Sequence, residues 1–495
     1  MADTDDITNN QIKQYVSNVD RDVYTVSNIP EEVVAVIFAY VSRSPKSFRD
    51  NIGVVIDEEQ LGQERASKFH EKWVLNYGHA SVAEHAAVHV GIERVSRLFS
   101  SVLELSNEYL SFTEYSQRYQ KPVKGDFYTP FELEDKPHLQ NEFRQLSDEQ
   151  YDIYSRLNDI LFVHLKETVP VPEGKDQKVH HRALEKIAFE DARYALNLST
   201  YTNLGMTANA RAIEDSLSEL LSSRYSEVRS RAEEIKQEVR FSVPTLVKYA
   251  NEKKYITKTR ESLDKISSPL NSNSLLKEIT DSEVNLLSWS GDTTDNPEEF
   301  ALKQIIKAVL YEHSDQSYEE VSKLTDTSTI DELLTIFKKT VEHLGKFDNP
   351  VQVYKLINYK AEFVISEACW HQLLRHRKVN WTYKEPSVYN GVTIPPNIKS
   401  AGATELLREA TCKSEILFEK LVKEGLNTVA PYVVTNAHNR RLIGKFDLWE
   451  LFHLVNLRMS EGAQWDIKNV TSNLVKEIQK YHPNLVKSAL ARLGS

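Results

Sequence analysis

The sequence predicts an α/β chain, rich in helix with a few strands and built as two similar halves. Three observations carry this. Charged, amphipathic stretches such as 213–239 and 333–344 repeat apolar residues at helical spacing. Two short segments alternate with a period of two instead. Ala86, Val88, Val90 and Ile92 alternate with Ala87, His89 and Gly91, while Ala361, Phe363 and Ile365 alternate with Lys360, Glu362 and Val364. Each of these runs into a helical stretch, 95–105 and 366–377, so a strand-to-helix unit occurs twice, at a separation far longer than a solenoid period.

At 495 residues the chain exceeds one typical core and suffices for two domains. No apolar run reaches the roughly 18–20 residues that span a bilayer, so no membrane role is expected. The formal charge of −11 argues against nonspecific nucleic-acid binding, which depends on Lys and Arg neutralising phosphates. It leaves room for a small anion in a local arginine pocket. Cys369 and Cys412 form no CxxC, and a cytoplasmic setting is the default. No GxGxxG or P-loop is present.

Residues 1–29, opening MADTDDITNN, read as a flexible acidic tail and neither as a secretory signal nor as a transit peptide. Residues 30–255 form the first repeat, 256–283 a linker whose core SSPLNSNSLLKEITDSE is polar and Ser/Asn-rich, and 284–495 the second repeat. Within them AVIFAYVSRS from Ala35 faces VNLLSWSGDT from Val284, and the helical segment around Glu227 faces the one around Asp466. Ser366 is a plausible N-cap for its helix.

Gln372, Arg375 and His376, at spacings of three and four, fall on one helix face, with Arg377 at its end. An amide, a guanidinium and an imidazole together suit a phosphate and a heteroaromatic ring. A solvated basic helix end is the alternative. The stretch Ser111-Phe112-Thr113-Glu114-Tyr115-Ser116-Gln117-Arg118-Tyr119 reads as a loop around a nucleotide or as an edge strand with polar residues outward. Cys369 reads as a packed helix residue. His79, His85 and His89 include an HxxxH spacing, yet His89 falls in the alternating strand and no third ligand is evident, so no metal is expected.

Together these motifs resemble the flavin-dependent thymidylate synthase family, whose single-repeat members run HxSxxEH, a strand, a helix with QxxRHR, then an SxxExSxRY loop. The first half has Gly78-His79-Ala80-Ser81-Val82-Ala83-Glu84-His85 and the full loop, but Leu103 replaces the glutamine and Ser106-Asn107-Glu108 replace RHR. The second half keeps Gln372 and Arg375-His376-Arg377. Its loop has Asn380, Tyr383, Glu385 and Ser387 at the motif positions, and residues 347–353 replace HxSxxEH. DARYALNLSTYTNLGMTANAR carries Arg193, Asn209 and Arg211, and LVNLRMSEGAQWDI carries Arg458. Asn427 stands near the second-half position of Arg193, and Glu219 or Leu220 at the first-half position of Arg458.

The resemblance implies a fold of small antiparallel or mixed sheets flanked by long helices. It implies methylation of deoxyuridylate (dUMP) to thymidylate, with methylenetetrahydrofolate as carbon donor and FAD reduced by NADPH as hydride donor. On this footing Gln372, Arg375, Glu114, Ser116, Gln117, Arg118, Arg193 and Arg458 bind the nucleotide, with Arg458 polarising the pyrimidine. Arg375, His376, Arg377, Asn209, Arg211 and Ser81 contact FAD. Family members share active sites between subunits. A fused duplicate would then hold one complete residue set and one set without arginines, in a homodimer that mimics a tetramer. Methylation of another pyrimidine nucleotide, and a non-catalytic binding homologue, are the alternatives.

Overall fold

The computed structural model describes residues 12–42, 44–56, 66–71, 80–118, 120–270 and 283–494. The elements used below are, in chain order, α1 (Glu31–Tyr40), β1 (Ala87–Ser96), α2 (Arg97–Leu105), β2 (Ser111–Glu114), α3 (Pro137–Thr168), α4 (Gln177–Ala192), β3 (Tyr201–Asn209), α5 (Ala210–Leu221) and α6 (Ser226–Val239). They continue with β4 (Glu283–Trp289), β5 (Asn358–Ser366), α7 (Glu367–Leu373), β6 (Asn380–Tyr383), α8 (Thr404–Lys423), β7 (Asn439–Asp447), α9 (Leu448–Arg458) and α10 (Trp465–Gln479). The fold is mixed α/β, and its two sheets are antiparallel, β1-β3-β2 and β4-β5-β7-β6.

The chain divides into two compact units that do not coincide with the repeats. One comprises residues 1–115 and 201–271, the other 116–200 and 272–495. The stretch 116–200 of the first repeat therefore packs with the second. Its long helix α3 buries Leu139, Phe143, Leu146, Gln150, Ile153, Leu157, Leu161 and Leu165, a stripe at spacings of three and four. α8 buries Leu407, Ala410, Ser414, Leu417 and Leu421 in the same manner. Gln150 Nε2 donates to Ala410 O at 3.2 Å, and the rim carries ion pairs Lys420–Glu142 and Lys413–Glu149.

A short antiparallel bridge joins the two repeats within this unit. Leu198 N donates to Val434 O at 2.9 Å, and Asn436 N donates to Leu196 O at 2.8 Å, on either side of the pair Asn197–Thr435. Counting back from the first residues of β3 and β7, Tyr201 and Asn439, aligns Asn197 with Thr435. Equivalent residues thus meet each other, as they do across an isologous two-fold contact. The same count aligns Arg193 with Pro431, a correction to Asn427, and Leu220 with Arg458.

Three expectations change. The counterparts at Ala35 and Val284 are not alike, because the first lies in helix α1 and the second in strand β4. Pro30 and the acidic pair Glu31 and Glu32 are helix-start signals, and the Glu32 carboxylate accepts from Thr245 N (2.6 Å) and Leu246 N (3.0 Å), which anchors the helical turn. Residues 12–29 are not a tail, since Ile12, Val16 and Ile29 pack into a core cluster with Val33, Val36 and Ile37. The linker begins as a helix, Lys254–Ser267, with no buried residue, and residues 271–282 lie outside the described ones.

One capping device occurs in both repeats. Ser96 caps α2 by accepting from Phe99 N (2.9 Å) and donates to Glu227 Oε2 (2.5 Å) of α6. Ser366 caps α7 by accepting from Cys369 N (2.9 Å) and donates to Asp466 Oδ2 (2.5 Å) of α10. All six groups are buried.

Candidate functional site

The unit containing α3 and α8 brings first-half residues Ser116, Gln117, Arg118 and Arg193 together with second-half Gln372, Arg375 and Arg458. Arg118 leaves β2's loop and places Nη2 3.3 Å from Gly462 O, just beyond the end of α9, while its Nε lies 2.5 Å from Glu190 Oε1. Arg193, buried at the end of α4, donates from Nε to Glu190 O at 3.2 Å. Asn436 Nδ2 donates to Arg193 O (2.9 Å) and reaches the Gln117 side chain at 3.4 Å. Ser116 Oγ accepts from Arg118 N at 3.3 Å.

Gln372 sits in the last turn of α7, and its amide is fixed by a buried chain. Its Nε2 donates to Gln464 Oε1 (3.1 Å), Gln464 donates to Tyr194 Oη (3.1 Å), and Tyr194 donates to Asp466 (2.8 Å). The Tyr194 ring stacks on Trp465 with centroids 5.8 Å apart. Trp465 Nε1 and Asn397 both donate to Asp191, whose carboxyl burial pushes up to about 7. Gln464, Tyr194 and Asp191 lie within the two segments that carry Arg458 and Arg193, but the sequence assigns them no role.

Arg375, His376 and Arg377 lie past the end of the helix and not on its face, because α7 stops at Leu373. The change separates their exposures. Arg375 and Arg377 are exposed, whereas His376 is 3% exposed. Arg458 Nε donates to His376 Nε2 at 2.8 Å and its Nη2 donates to Gln372 O at 2.9 Å. His376 Nδ1 lies 2.7 Å from Glu450 Oε1. An imidazole that accepts at Nε2 is neutral with its proton on Nδ1, so the second bond runs from Nδ1–H to the carboxylate. Burial, with Arg458 adjacent, lowers the His376 pKa to about 3, which matches that assignment. Burial also lowers Arg458, with Arg375 and Arg118 adding like charge, to about 10. It remains a cation at neutral pH.

Both ring nitrogens of His376 are therefore engaged inside the protein, which departs from the expected flavin contact. His376, Glu450 and His453 do present potential metal-ligand atoms within 4.8 Å of one another. The Arg458 guanidinium on Nε2 and the proton on Nδ1 make this a hydrogen-bonded chain, not a cation site. Of the histidines first weighed for metal, His79 lies outside the described residues, His89 bonds Thr207 Oγ1 at 2.9 Å, and the His85 ring packs on Phe38.

The other unit holds Glu114, Ser81, Asn209 and Arg211. Glu114 does not face solvent, because its buried carboxylate pairs with Arg97 (2.6 Å) and accepts from Thr202 (3.2 Å). Asn209 caps α5 by accepting from Ala212 N at 2.9 Å. Arg211 is exposed and pairs with Glu84 at 2.5 Å, and Ser81 is exposed in the same 3₁₀ turn as Glu84. Leu103 is buried apolar packing, and Ser106 bonds Leu103 O and Ser216.

Comparison with known proteins places the chain. The family described as thymidylate synthase complementing protein matches residues 23–245 and again 292–484. The chain belongs to that family. A UPF0159 protein of Thermoplasma acidophilum, Ta1429, is 24% identical over 90% of this chain and 93% of its own length. A flavin-dependent thymidylate synthase of Clostridium tetani is 29% identical over 45% of this chain and 82% of its own. A solved UMP/dUMP methylase, PolB of Streptomyces cacaoi bound with 5-Br dUMP, aligns to 44% of this chain and 97% of its own at 13% identity, with a TM-score of 0.35. Among the described residues no helix is long and apolar enough to cross a membrane.

Proposed function

We propose that the chain is a flavin-dependent thymidylate synthase, methylating dUMP with methylenetetrahydrofolate as carbon donor and NADPH-reduced FAD as hydride donor. It would arise by tandem duplication, with the nucleotide-binding set divided between repeats and reunited in one unit. The observation that carries this reading is the gathering of Arg118 and Arg193 from one repeat with Gln372 and Arg458 from the other, within one compact body. Preorganised cations of this kind suit a nucleotide monophosphate and a pyrimidine that must be activated without a nucleophilic cysteine. Cys369 supports the same view, because it is fully buried and burial raises its thiol well above the ordinary range.

In this mechanism Arg118 and Arg193 hold the phosphate end, with Ser116 Oγ and the loop amides beside them. The Gln372 amide and Arg375 orient the ring. Arg458 stabilises the negative charge left on the pyrimidine as N3 gives up its proton. The donor set also fits a flavin, since exposed Arg375 and Arg377 suit an anionic pyrophosphate. When bound, the flavin supplies the hydride and the one-carbon chemistry. His376 serves the arginine.

The test is visible absorbance of the purified protein, followed by thymidylate formation from dUMP with NADPH and methylenetetrahydrofolate. Flavin absorbance with turnover is the expected result, and Arg458→Ala should lose about 100- to 1,000-fold in turnover with its fold intact. A flavin-loaded protein without turnover on dUMP would defeat the proposal.

A further inference from the structure

Arg458 and Glu450 sit on one helix but cannot touch. Eight residues of α9 separate them, a rise of about 12 Å. His376 spans that gap from the turn after α7, its Nε2 on Arg458 at 2.8 Å and its Nδ1 on Glu450 at 2.7 Å. The guanidinium is thereby held at Nε by the imidazole and at Nη2 by Gln372 O, which leaves Nη1 as the edge for a ligand.

The other repeat shows what this arrangement is for. Counting from Tyr201 and Asn439, Ala212 stands where Glu450 stands and Leu220 where Arg458 stands, and counting from the paired caps Ser96 and Ser366 places Ser106 where His376 stands. The cap before each pair is kept, Asn209 accepting from Ala212 N and Asp447 from Glu450 N (2.8 Å). The carboxylate, imidazole and guanidinium are therefore absent together where the shared backbone framework remains. A residue kept for folding alone would have no reason to be missing in company with the arginine.

We infer that Glu450 is a positioning residue, fixing the His376 tautomer that orients the Arg458 guanidinium toward the pyrimidine. Were Glu450 absent, Nδ1 would lose its acceptor, and the ring could take the other tautomer, placing a proton on Nε2 against the guanidinium Nε–H. The titratable and charged groups around the carboxylate are His376, His453, Lys378 and Arg458, with Asp447 one turn earlier. The nature of the ligand rests on the function proposed above, whereas the tautomer does not.

The test therefore has two arms. In the first, kcat and KM for dUMP are measured for Glu450→Ala and Glu450→Gln. Alanine should lower kcat by about 10- to 100-fold, as misplacement of a catalytic group does, with KM changed by less than about threefold. Glutamine, whose amide oxygen still accepts from Nδ1–H, should recover most of that loss. Equal defects in both variants, or none in either, would overturn the inference. In the second arm, ¹⁵N-histidine NMR of the unsubstituted protein, with the His376 signals assigned by their loss in His376→Gln, should show a neutral ring protonated on Nδ1 from pH 5 to 8. An Nε2–H tautomer or a charged ring would overturn the inference even in an active protein. If the unsubstituted protein makes no thymidylate, the proposed function falls and the NMR arm alone decides this assignment.

Discussion

Single residues in this protein are tuned mainly by burial. His482 illustrates it apart from the site. Its Nε2–H donates to Ser290 O (3.1 Å), its Nδ1 accepts from Tyr359 Oη–H (2.8 Å), and burial lowers its pKa to about 4. A histidine depressed in the folded state contributes stability above its unfolded pKa near 6.5 and loses it as pH falls toward about 4. The loss amounts to roughly 3 kcal/mol for this group. Asp191 and Glu450, both raised to about 7, run oppositely, contributing below their unfolded values and losing that contribution as pH rises through 7. The whole-protein acid limb is thus a balance, and a variant isolates the histidine. Between pH 6.5 and 4 the thermal midpoint of His482→Gln should fall by several degrees less than that of the unsubstituted chain. Parallel curves would show that His482 titrates normally. Little of this was readable in the sequence, because the groups that set each pKa come from distant positions. His376 and Glu450 are 74 residues apart, and no spacing rule links them.

At the level of elements, local signals were legible and partners were not. The alternating runs became β1 and β5, and Ser366 caps its helix as its position suggested, since capping depends on residues three apart. The end of α7 was misjudged because the apolar pattern of WHQLLRHR continues past Leu373, while the backbone turns at Leu374. Helix α1 was mispaired with a strand because its β-branched run suits either structure, and the local start signals Pro30, Glu31 and Glu32 decide for helix. The duplicated serine caps give a measurable consequence. Ser366→Ala removes an N-cap and leaves Asp466 without one of its buried donors, costing about 1–3 kcal/mol by urea unfolding, and Ser96→Ala should cost a similar amount. Values near zero in either variant would mean that water replaces the hydroxyl.

For the whole molecule, the family resemblance suggested duplication and complementary losses, but an amphipathic stripe reveals only that a face is buried. It does not say that α3 of the first repeat packs on α8 of the second. The residues proposed to bind the nucleotide, Glu114 excepted, lie in one unit of one chain. Calorimetry should therefore find one dUMP bound per chain, with no second event from the arginine-poor positions. Light scattering should give the mass of two chains, the arrangement we propose from the family's shared sites. A fully active monomer would refute the dimer, and two equivalent nucleotides per chain would refute the division into one live and one dead set.

The bridge at Asn197 and Thr435 has one more consequence. The polypeptide passes between its two bodies after Tyr115 and after Thr200 as well as within the linker, so each repeat does not make up one compact unit by itself. A gene divided at the linker would encode two products with interdependent cores, the first carrying α3 and α4 away from the body they complete. On the proposed duplication, the two copies would be heritable only as a pair, and each would be free to lose what the other kept.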